Sequence, residues 1–118
     1  MTLKEIIEIL DATVITPLGD EALNVDIRSA CSADLMSAVL YYHTPDSLLI
    51  TGLTQAHVIR TAEIAGIKTI VFVLGKKPDI YSIELAEEKK ISLLSTSLCM
   101  YTASGRLFQA GLPGCLYK

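Results

Sequence analysis

The spacing of hydrophobic residues predicts three strand–helix pairs in the second half of the chain. Residues 69–74, Thr-Ile-Val-Phe-Val-Leu, form an apolar run without alternation, which is typical of a strand buried on both faces. Shorter runs at 47–50 and 91–94 predict two more strands. Helices are predicted after the strands, over 54–65, over 79–90 and from 95–97 to about Gln109. Short connections with intervening helices imply parallel strands joined by right-handed crossovers.

The first half of the chain carries weaker signals. Apolar residues at positions 3, 6, 7 and 10 predict an N-terminal helix. Residues 14–16 are a short β-branched run, and the alternation over 23–27 predicts a half-buried strand. A helix is predicted over about 32–42, with Ser32 as its N-cap. The predicted fold class is α/β: a mostly parallel β-sheet with helices on both faces, to which the first two strands add an antiparallel edge or a small separate sheet.

Composition narrows the class of protein. The 118 residues, 51% hydrophobic and 19% charged, predict one globular domain over 1–118, with a core over about 2–112 and a tail over 113–118. No apolar run reaches the ~18 residues of a membrane helix, and acidic residues interrupt the N-terminal pattern, so we expect a cytoplasmic protein without a membrane partner. A net charge of −3 argues against nucleic acid as a partner. The high apolar content predicts surface that is buried against another copy or a partner protein.

The three cysteines, Cys31, Cys99 and Cys115, match neither a disulfide framework nor a zinc site, because their number is odd and their spacing wide. We expect reduced thiols, with Cys31 and Cys99 as small core residues and Cys115 exposed in the Gly/Pro-rich tail. The sequence predicts no metal and no cofactor.

Candidate chemistry lies at three corners where a predicted strand leads into a helix: 51–54, 74–78 and 95–97. Ligands of parallel sheets bind at the carboxyl ends of the strands, and helix N-termini there attract anions. The corners together offer hydroxyl groups, two lysines and two glycines, which favours an anion pocket. The alternative is structural: Thr54 and Ser97 are helix caps, and Gly52 and Gly75 are turn residues.

Motifs for catalysis are missing from the sequence. Gly75-Lys76 is not a phosphate-binding P-loop, because Ile70 stands where its first glycine belongs and Lys77 stands where Ser or Thr belongs. Neither G-x-G-x-x-G nor G-x-S-x-G occurs. No nucleophile, base and orienting group can be named together, so the sequence predicts a protein that is not an enzyme.

Five segments together resemble the DRTGG domain family. They are 32–40 (SADLMSAVL), 49–54 (LITGLT), 58–62 (VIRTA), 71–78 (VFVLGKKP) and 100–112 (MYTASGRLFQAGL). The resemblance covers about residues 2–112, and the combination is more specific than any one segment. The literal Asp-Arg-Thr-Gly-Gly string that names the family is absent, so no role tied to it is carried over.

The resemblance implies an accessory role. DRTGG domains are similar to the N-terminal domain of HPr kinase/phosphorylase and occur within phosphate acetyltransferases and beside CBS domains in regulated pyrophosphatases. Stand-alone forms are encoded near iron-only hydrogenase subunits in anaerobic bacteria. The kinase's catalytic domain and P-loop are missing here, so we reject kinase activity. Relatives use the domain in oligomer contacts, which implies a homodimer.

The resulting hypothesis is a non-catalytic regulatory or assembly module that senses a small anionic metabolite or nucleotide and is accessory to a hydrogenase or another redox complex. A protein-interaction scaffold without a ligand is the first alternative, and a small enzyme acting on a phosphorylated compound is the second. The candidate ligand-binding residues are Asp34, Ser37, Thr51, Gly52, Thr54, Gly75, Lys76, Thr96 and Ser97.

Overall fold

A computed structural model describes residues 1–44 and 46–115. The helices are α1 (Leu3–Leu10), α2 (Asp20–Leu23), α3 (Met36–Tyr42), α4 (Ala56–Ala65), α5 (Ile80–Glu88) and α6 (Met100–Gln109). The strands are β1 (Thr13–Val14), β2 (Ser29–Ser32), β3 (Ser47–Thr51), β4 (Thr69–Phe72) and β5 (Ser92–Ser95). In the described part of the chain, no helix is long and apolar enough to cross a bilayer.

The five strands form one sheet in the order β1-β5-β4-β3-β2. Strands β2 to β5 run parallel, whereas β1 pairs with β5 in the antiparallel direction. Ile70 of β4 lies opposite Leu49 of β3 on one side and opposite Leu93 of β5 on the other, so β4 is the central strand. The predicted α/β class and the predicted parallel order after residue 47 are confirmed. Of the two strands predicted to add an antiparallel edge or a small separate sheet, the first forms the antiparallel edge, as β1.

The sheet is covered on both faces because successive strand residues point to opposite sides. On one face, α1 and α6 pack against a buried cluster that includes Leu48, Ile50, Val71 and Leu94. On the other face, helices α3, α4 and α5 pack against a second cluster that includes Leu49, Ile70, Phe72 and Leu93. The central strands therefore lack the alternation of a half-exposed strand.

The predicted strand over 23–27 is wrong. Asp20–Leu23 is instead the short helix α2, whose first turn carries acidic residues that suit the positive end of the helix dipole. Residues 25–27 are extended, but they bond to the N-terminal segment: the Leu3 amide donates to the Val25 carbonyl at 3.2 Å, and the Ile27 amide donates to the Met1 carbonyl at 2.8 Å. The strand that joins the sheet is β2, Ser29–Ser32.

Three predicted helix caps are also wrong. Ser32 is the last residue of β2 rather than the start of a helix. Gln55, not Thr54, is the N-cap of α4, and Cys99, not Ser97, is the N-cap of α6. Each helix begins later than its apolar pattern suggests.

The later starts of α4 and α6 have a local cause. The Leu53 amide donates to the Thr51 hydroxyl at 3.2 Å, and the Leu98 amide donates to the Thr96 hydroxyl at 3.3 Å. A Ser or Thr hydroxyl that accepts from the amide two residues ahead forms a turn. These turns separate each strand from its helix and lengthen the loops at the carboxyl ends of β3 and β5.

Replacing Lys90 with glycine is expected to stabilise the protein by about 0.5–1 kcal/mol, because Lys90 has a left-handed φ of 59° that glycine adopts without a steric penalty. Lys90 follows α5 as Gly66 follows α4. The Ile91 amide donates to the Ala86 carbonyl at 2.8 Å, and in the same way the Ile67 amide donates to the Ala62 carbonyl at 2.8 Å. Urea denaturation measures the change. The matched control is Lys89→Gly, at a φ of −86°, which is expected to destabilise. The same sign for both variants would contradict this account of the turn.

Candidate functional site

The loops that follow β2, β3, β4 and β5 meet at one edge of the sheet, because the four strands are parallel. We call residues 33–35, 51–55, 73–79 and 95–99 the carboxyl rim. All the candidate ligand residues except Ser37 lie in it, and Ser37 is exposed one residue into α3. The rim therefore contains most of the predicted anion pocket.

Asp34 holds the loop after β3. Its Oδ1 atom accepts hydrogen bonds from the Thr51 hydroxyl at 2.9 Å and from the Gly52 amide at 2.8 Å. Thr51 is fully buried, while Asp34 itself is exposed. The carboxylate thus satisfies two donors of a neighbouring strand and fixes where the chain leaves the sheet.

Lys76 also contacts the loop after β3. Its Nζ atom donates to the Gly52 carbonyl oxygen at 3.3 Å, and the side chain is exposed. Among the described residues, no carboxylate forms an ion pair with it. Because a lysine ammonium has three donors, one carbonyl leaves it able to bind an anion.

The loop after β4 is held in an uncommon conformation. Leu74 and Gly75 have left-handed φ angles of 59° and 67°. Their amides donate to the Leu98 carbonyl at 2.9 Å and to the Thr96 carbonyl at 2.8 Å. A bulky residue such as leucine adopts this conformation at a cost of about 1–2 kcal/mol, so the surrounding bonds must hold it in place. Because the Leu74 and Gly75 amides both donate to these carbonyls, neither amide is available to a ligand.

Two hydroxyl groups near the rim serve the fold. Thr96 is buried, and its hydroxyl donates to the Leu10 carbonyl of α1 at 2.8 Å. The hydroxyl of buried Ser95 donates to the Lys76 carbonyl at 2.8 Å. Among the described residues, no buried side-chain nitrogen or oxygen lacks a hydrogen-bond partner. The rim is thus already cross-linked without a ligand.

The structure joins some of the candidate residues and leaves others apart. Side-chain hydrogen bonds connect Asp34, Thr51, Gly52 and Lys76, and a backbone bond connects Gly75 to Thr96. Ser37 and Ser97 are exposed and Thr54 is half-buried. Within the described residues, no side-chain hydrogen bond links these three to the Asp34–Lys76 group.

Helices α4, α5 and α6, which start at the rim, differ in what covers their first amides. Asp79 caps α5: its carboxylate accepts from the Ser82 amide at 2.8 Å, and this bond lowers the pKa of Asp79. An ionised carboxylate therefore already occupies that helix end. Helices α4 and α6 begin without a side-chain cap. Of the three, these two keep first-turn amides that an anion could approach.

The cysteines are placed differently from the expectation. Cys31 is half-buried, Cys99 is exposed rather than in the core, and Cys115 is half-buried rather than exposed. At the start of α6, the Cys99 thiol lies 3.4 Å from the Thr102 hydroxyl, and hydrogen bonding to Thr102 lowers the pKa of this thiol.

One contact near the rim was missed by the sequence argument. The Arg60 guanidinium of α4 donates to the Tyr81 hydroxyl of α5 at 2.7 Å, and both side chains are exposed. Neither residue is among the candidate ligand residues predicted from the sequence. The available signal was positional: the two residues lie on helices that follow adjacent parallel strands.

In the described part of the chain, three of the surface grooves contain no residue of the rim. Two are at the amino ends of β4 and β5 and include Lys90 and Ser92. The third, about 350 Å³, is mainly apolar and lies between α6 and β2, where it is bordered by Tyr101 (88% exposed) and Phe108 (73% exposed). Among the described residues, no cluster of three or more metal-ligating side chains occurs.

A known protein family matches most of the chain. The model of the DRTGG domain matches residues 5–110. The chain belongs to the DRTGG domain family. This confirms the resemblance found in the sequence, although the Asp-Arg-Thr-Gly-Gly string is absent.

This DRTGG domain is similar to a crystal structure of the CBS and DRTGG domains from the regulatory region of Clostridium perfringens pyrophosphatase, solved with its activator, diadenosine tetraphosphate. The TM-score is 0.76 at 20% identity, over 95% of this chain and 47% of that one. The chain therefore spans about half the length of that structure, and at this identity the likeness shows the fold. No curated protein matches the chain.

Proposed function

We propose that this DRTGG domain is a regulatory module that binds a small anionic metabolite, and specifically a nucleotide, at the carboxyl rim. The observation that carries the proposal is the position of Lys76. Its ammonium donates a hydrogen bond to the carbonyl of Gly52, whose amide in turn donates to Asp34. The other two N–H groups of the ammonium are available to an anion.

The rim has the rigidity that a binding site needs. Asp34 fixes the loop after β3, and the amides of Leu74 and Gly75 tie the loop after β4 to the loop after β5. Ordering these loops on binding therefore costs little conformational entropy. The uncapped start of α4 follows the Gly52 loop directly and adds amide donors to the rim.

The choice of a nucleotide rests on two points. The related pyrophosphatase regulatory region was solved with diadenosine tetraphosphate, a nucleotide polyphosphate, as its activator. In this chain, Tyr81 presents an exposed ring beside the Arg60 guanidinium, at the beginning of α5. An aromatic ring and a cation are groups that suit a base and a phosphate chain. No catalytic step is proposed for the rim.

A nucleotide polyphosphate is expected to raise the melting temperature of the wild-type protein, and Lys76→Ala is expected to abolish the rise. At a ligand concentration of about 100 times Kd, the stabilisation is about 2.7 kcal/mol, or roughly 5–10 °C. The measurement is a thermal melt with ATP, diadenosine tetraphosphate and inorganic phosphate as separate probes. Lys68→Ala is the matched control, because this exposed lysine precedes β4 at the opposite edge of the sheet.

The outcomes of this experiment separate the hypotheses. A rise that survives in Lys76→Ala would place the site away from the rim. An unchanged melting temperature of the wild type with every probe would contradict the ligand hypothesis and favour the scaffold alternative.

A role in assembly is the second proposal, and the exposed aromatic residues of α6 favour it. Tyr101 and Phe108 flank the apolar groove beside β2, the last strand of the sheet order. Exposed aromatic groups around a groove are typical of protein-binding surfaces. The homodimer, the hydrogenase or redox partner, the cytoplasmic location and the single-domain organisation over 1–118 stay predictions.

A further inference from the structure

The segment that follows α6 returns to the sheet and lies along β2. The Ala30 amide donates to the Pro113 carbonyl at 3.0 Å, and the Cys115 amide donates to the Ala30 carbonyl at 2.9 Å. These two bonds form a parallel bridge between Ala30 and Gly114. Residues 113–115 therefore occupy the outer side of β2, next to the strand that carries Cys31.

The register of this bridge brings two cysteines together. With Ala30 opposite Gly114, the next residues along both chains, Cys31 and Cys115, lie opposite each other. Neighbouring strands are about 4.8 Å apart, which falls within the Cα separation that a disulfide spans. Opposite residues of a parallel pair project from the same face, so the side chains of Cys31 and Cys115 lie on the same side of the bridge, and both are half-buried. The Cys115 thiol donates a hydrogen bond to the carbonyl oxygen of Ala30, the residue before Cys31, at 3.1 Å.

We propose that Cys31 and Cys115 are a site of reversible oxidation, at which a disulfide fastens residues 113–115 to the edge of the sheet. The oxidant is a small-molecule disulfide such as oxidised glutathione. One cysteine thiolate attacks it, which forms a mixed disulfide and releases one thiol. The second cysteine then attacks the protein sulfur of the mixed disulfide, which closes the Cys31–Cys115 bond and releases the second thiol. Both cysteine protons end on the released thiols.

The surroundings of the pair make this reaction slow near neutral pH. Burial, together with the neighbouring Cys31 thiol, raises the pKa of Cys115 to about 12. Because the thiolate is the attacking species, the rate is expected to rise with pH. Cys99 differs in both respects: it is exposed, and the hydrogen bond with Thr102 lowers its pKa. Cys99 therefore serves as the internal control, since it forms a mixed disulfide sooner but faces a hydroxyl instead of a thiol.

The test is to incubate the full chain with oxidised glutathione and to map its disulfides by peptide mass spectrometry without reduction. We expect a peptide pair linked through Cys31 and Cys115, in the wild type and in Cys99→Ser alike. Cys31→Ser and Cys115→Ser are expected to lack the link and to keep glutathione on the remaining cysteine. A linkage that involves Cys99, or a wild type that retains only mixed disulfides, would overturn the proposal.

A second measurement does not depend on the variants folding. Hydrogen exchange of the Ala30 and Cys115 amides, which form the two bonds of the bridge, is expected to slow at least about tenfold in the oxidised wild type relative to the reduced protein. The melting temperature is expected to rise by about 5 °C or more, and reduction is expected to reverse both changes. Faster exchange at these amides after oxidation would show that the link distorts the edge of the sheet, and would also overturn the proposal.

Discussion

Replacing Phe72 with alanine is expected to lower the free energy of unfolding by about 3–5 kcal/mol. Phe72 lies on the central strand β4 and heads the fully buried side chains by volume. It belongs to the core cluster between the sheet and helices α3, α4 and α5. Removing the ring loses its burial and leaves a cavity that neighbours from two strands and three helices fill only partly.

Urea denaturation and thermal melting measure this loss, which corresponds to a fall in melting temperature of roughly 10–20 °C. Phe108→Ala is the matched control, because the same side chain is 73% exposed on α6. Its effect on the free energy of unfolding is expected to stay within about 0.5 kcal/mol. Similar losses for both variants would mean that the face of the sheet against helices α3 to α5 is not the core described above.

The dependence on Phe72 explains why the central part of the fold could be predicted from the sequence. A strand buried on both faces has no polar positions, so residues 69–74 stand out as an apolar run. The helix ended by Gly66 was recognised for a similar reason: glycine suits the left-handed residue, with a φ of 76°, that follows α4. Both signals lie within a few consecutive residues.

The first half of the sheet depends on contacts that are distant in sequence. Strand β2, Ser-Ala-Cys-Ser, has a polar composition that does not indicate a sheet strand. Ser29 is nevertheless buried. Its hydroxyl forms hydrogen bonds with the hydroxyls of Thr44 at 2.6 Å and Ser47 at 3.1 Å, which offset the cost of burying a polar group. Those partners come from the loop before β3 and from β3 itself. The pattern of hydrophobic residues therefore predicted a strand at 23–27 instead of at β2.

The candidate site shows the same division. The meeting of the three corners followed from parallel strands alone, and the structure places them at one edge. The hydrogen bonds from Thr51 and Gly52 to Asp34 could not be predicted from the sequence, because they require β2 to lie beside β3. The sequence pattern instead placed Asp34 in the first turn of a helix. The Cys31–Cys115 pair depends equally on the position of β2.

Removing the carboxylate of Asp34 is expected to destabilise the protein by about 1–3 kcal/mol in Asp34→Ala, since the Thr51 hydroxyl and the Gly52 amide lose their shared acceptor. Asp34→Asn is the matched variant. Its side-chain oxygen still accepts hydrogen bonds while the charge is gone, so the loss is expected to stay below about 1 kcal/mol. Urea denaturation measures both values. Equal losses would show that the charge of Asp34, and not its role as an acceptor, holds the loop.

Asp34→Asn also tests the anion site, together with Lys76→Ala, because the two variants are expected to change the affinity for ATP in opposite directions. Asp34 accepts from the Gly52 amide and Lys76 donates to the Gly52 carbonyl, so both charges lie beside the same residue. An anion bound by Lys76 is therefore repelled by the Asp34 carboxylate. Asp34→Asn is therefore expected to tighten ATP binding about threefold to tenfold at moderate ionic strength, whereas Lys76→Ala weakens it. Calorimetric titration at two salt concentrations measures the affinities, and salt should narrow the difference. Weaker binding in Asp34→Asn would instead make Asp34 a direct ligand contact, for example an acceptor for a ribose hydroxyl, and would move the phosphates away from the Gly52 loop.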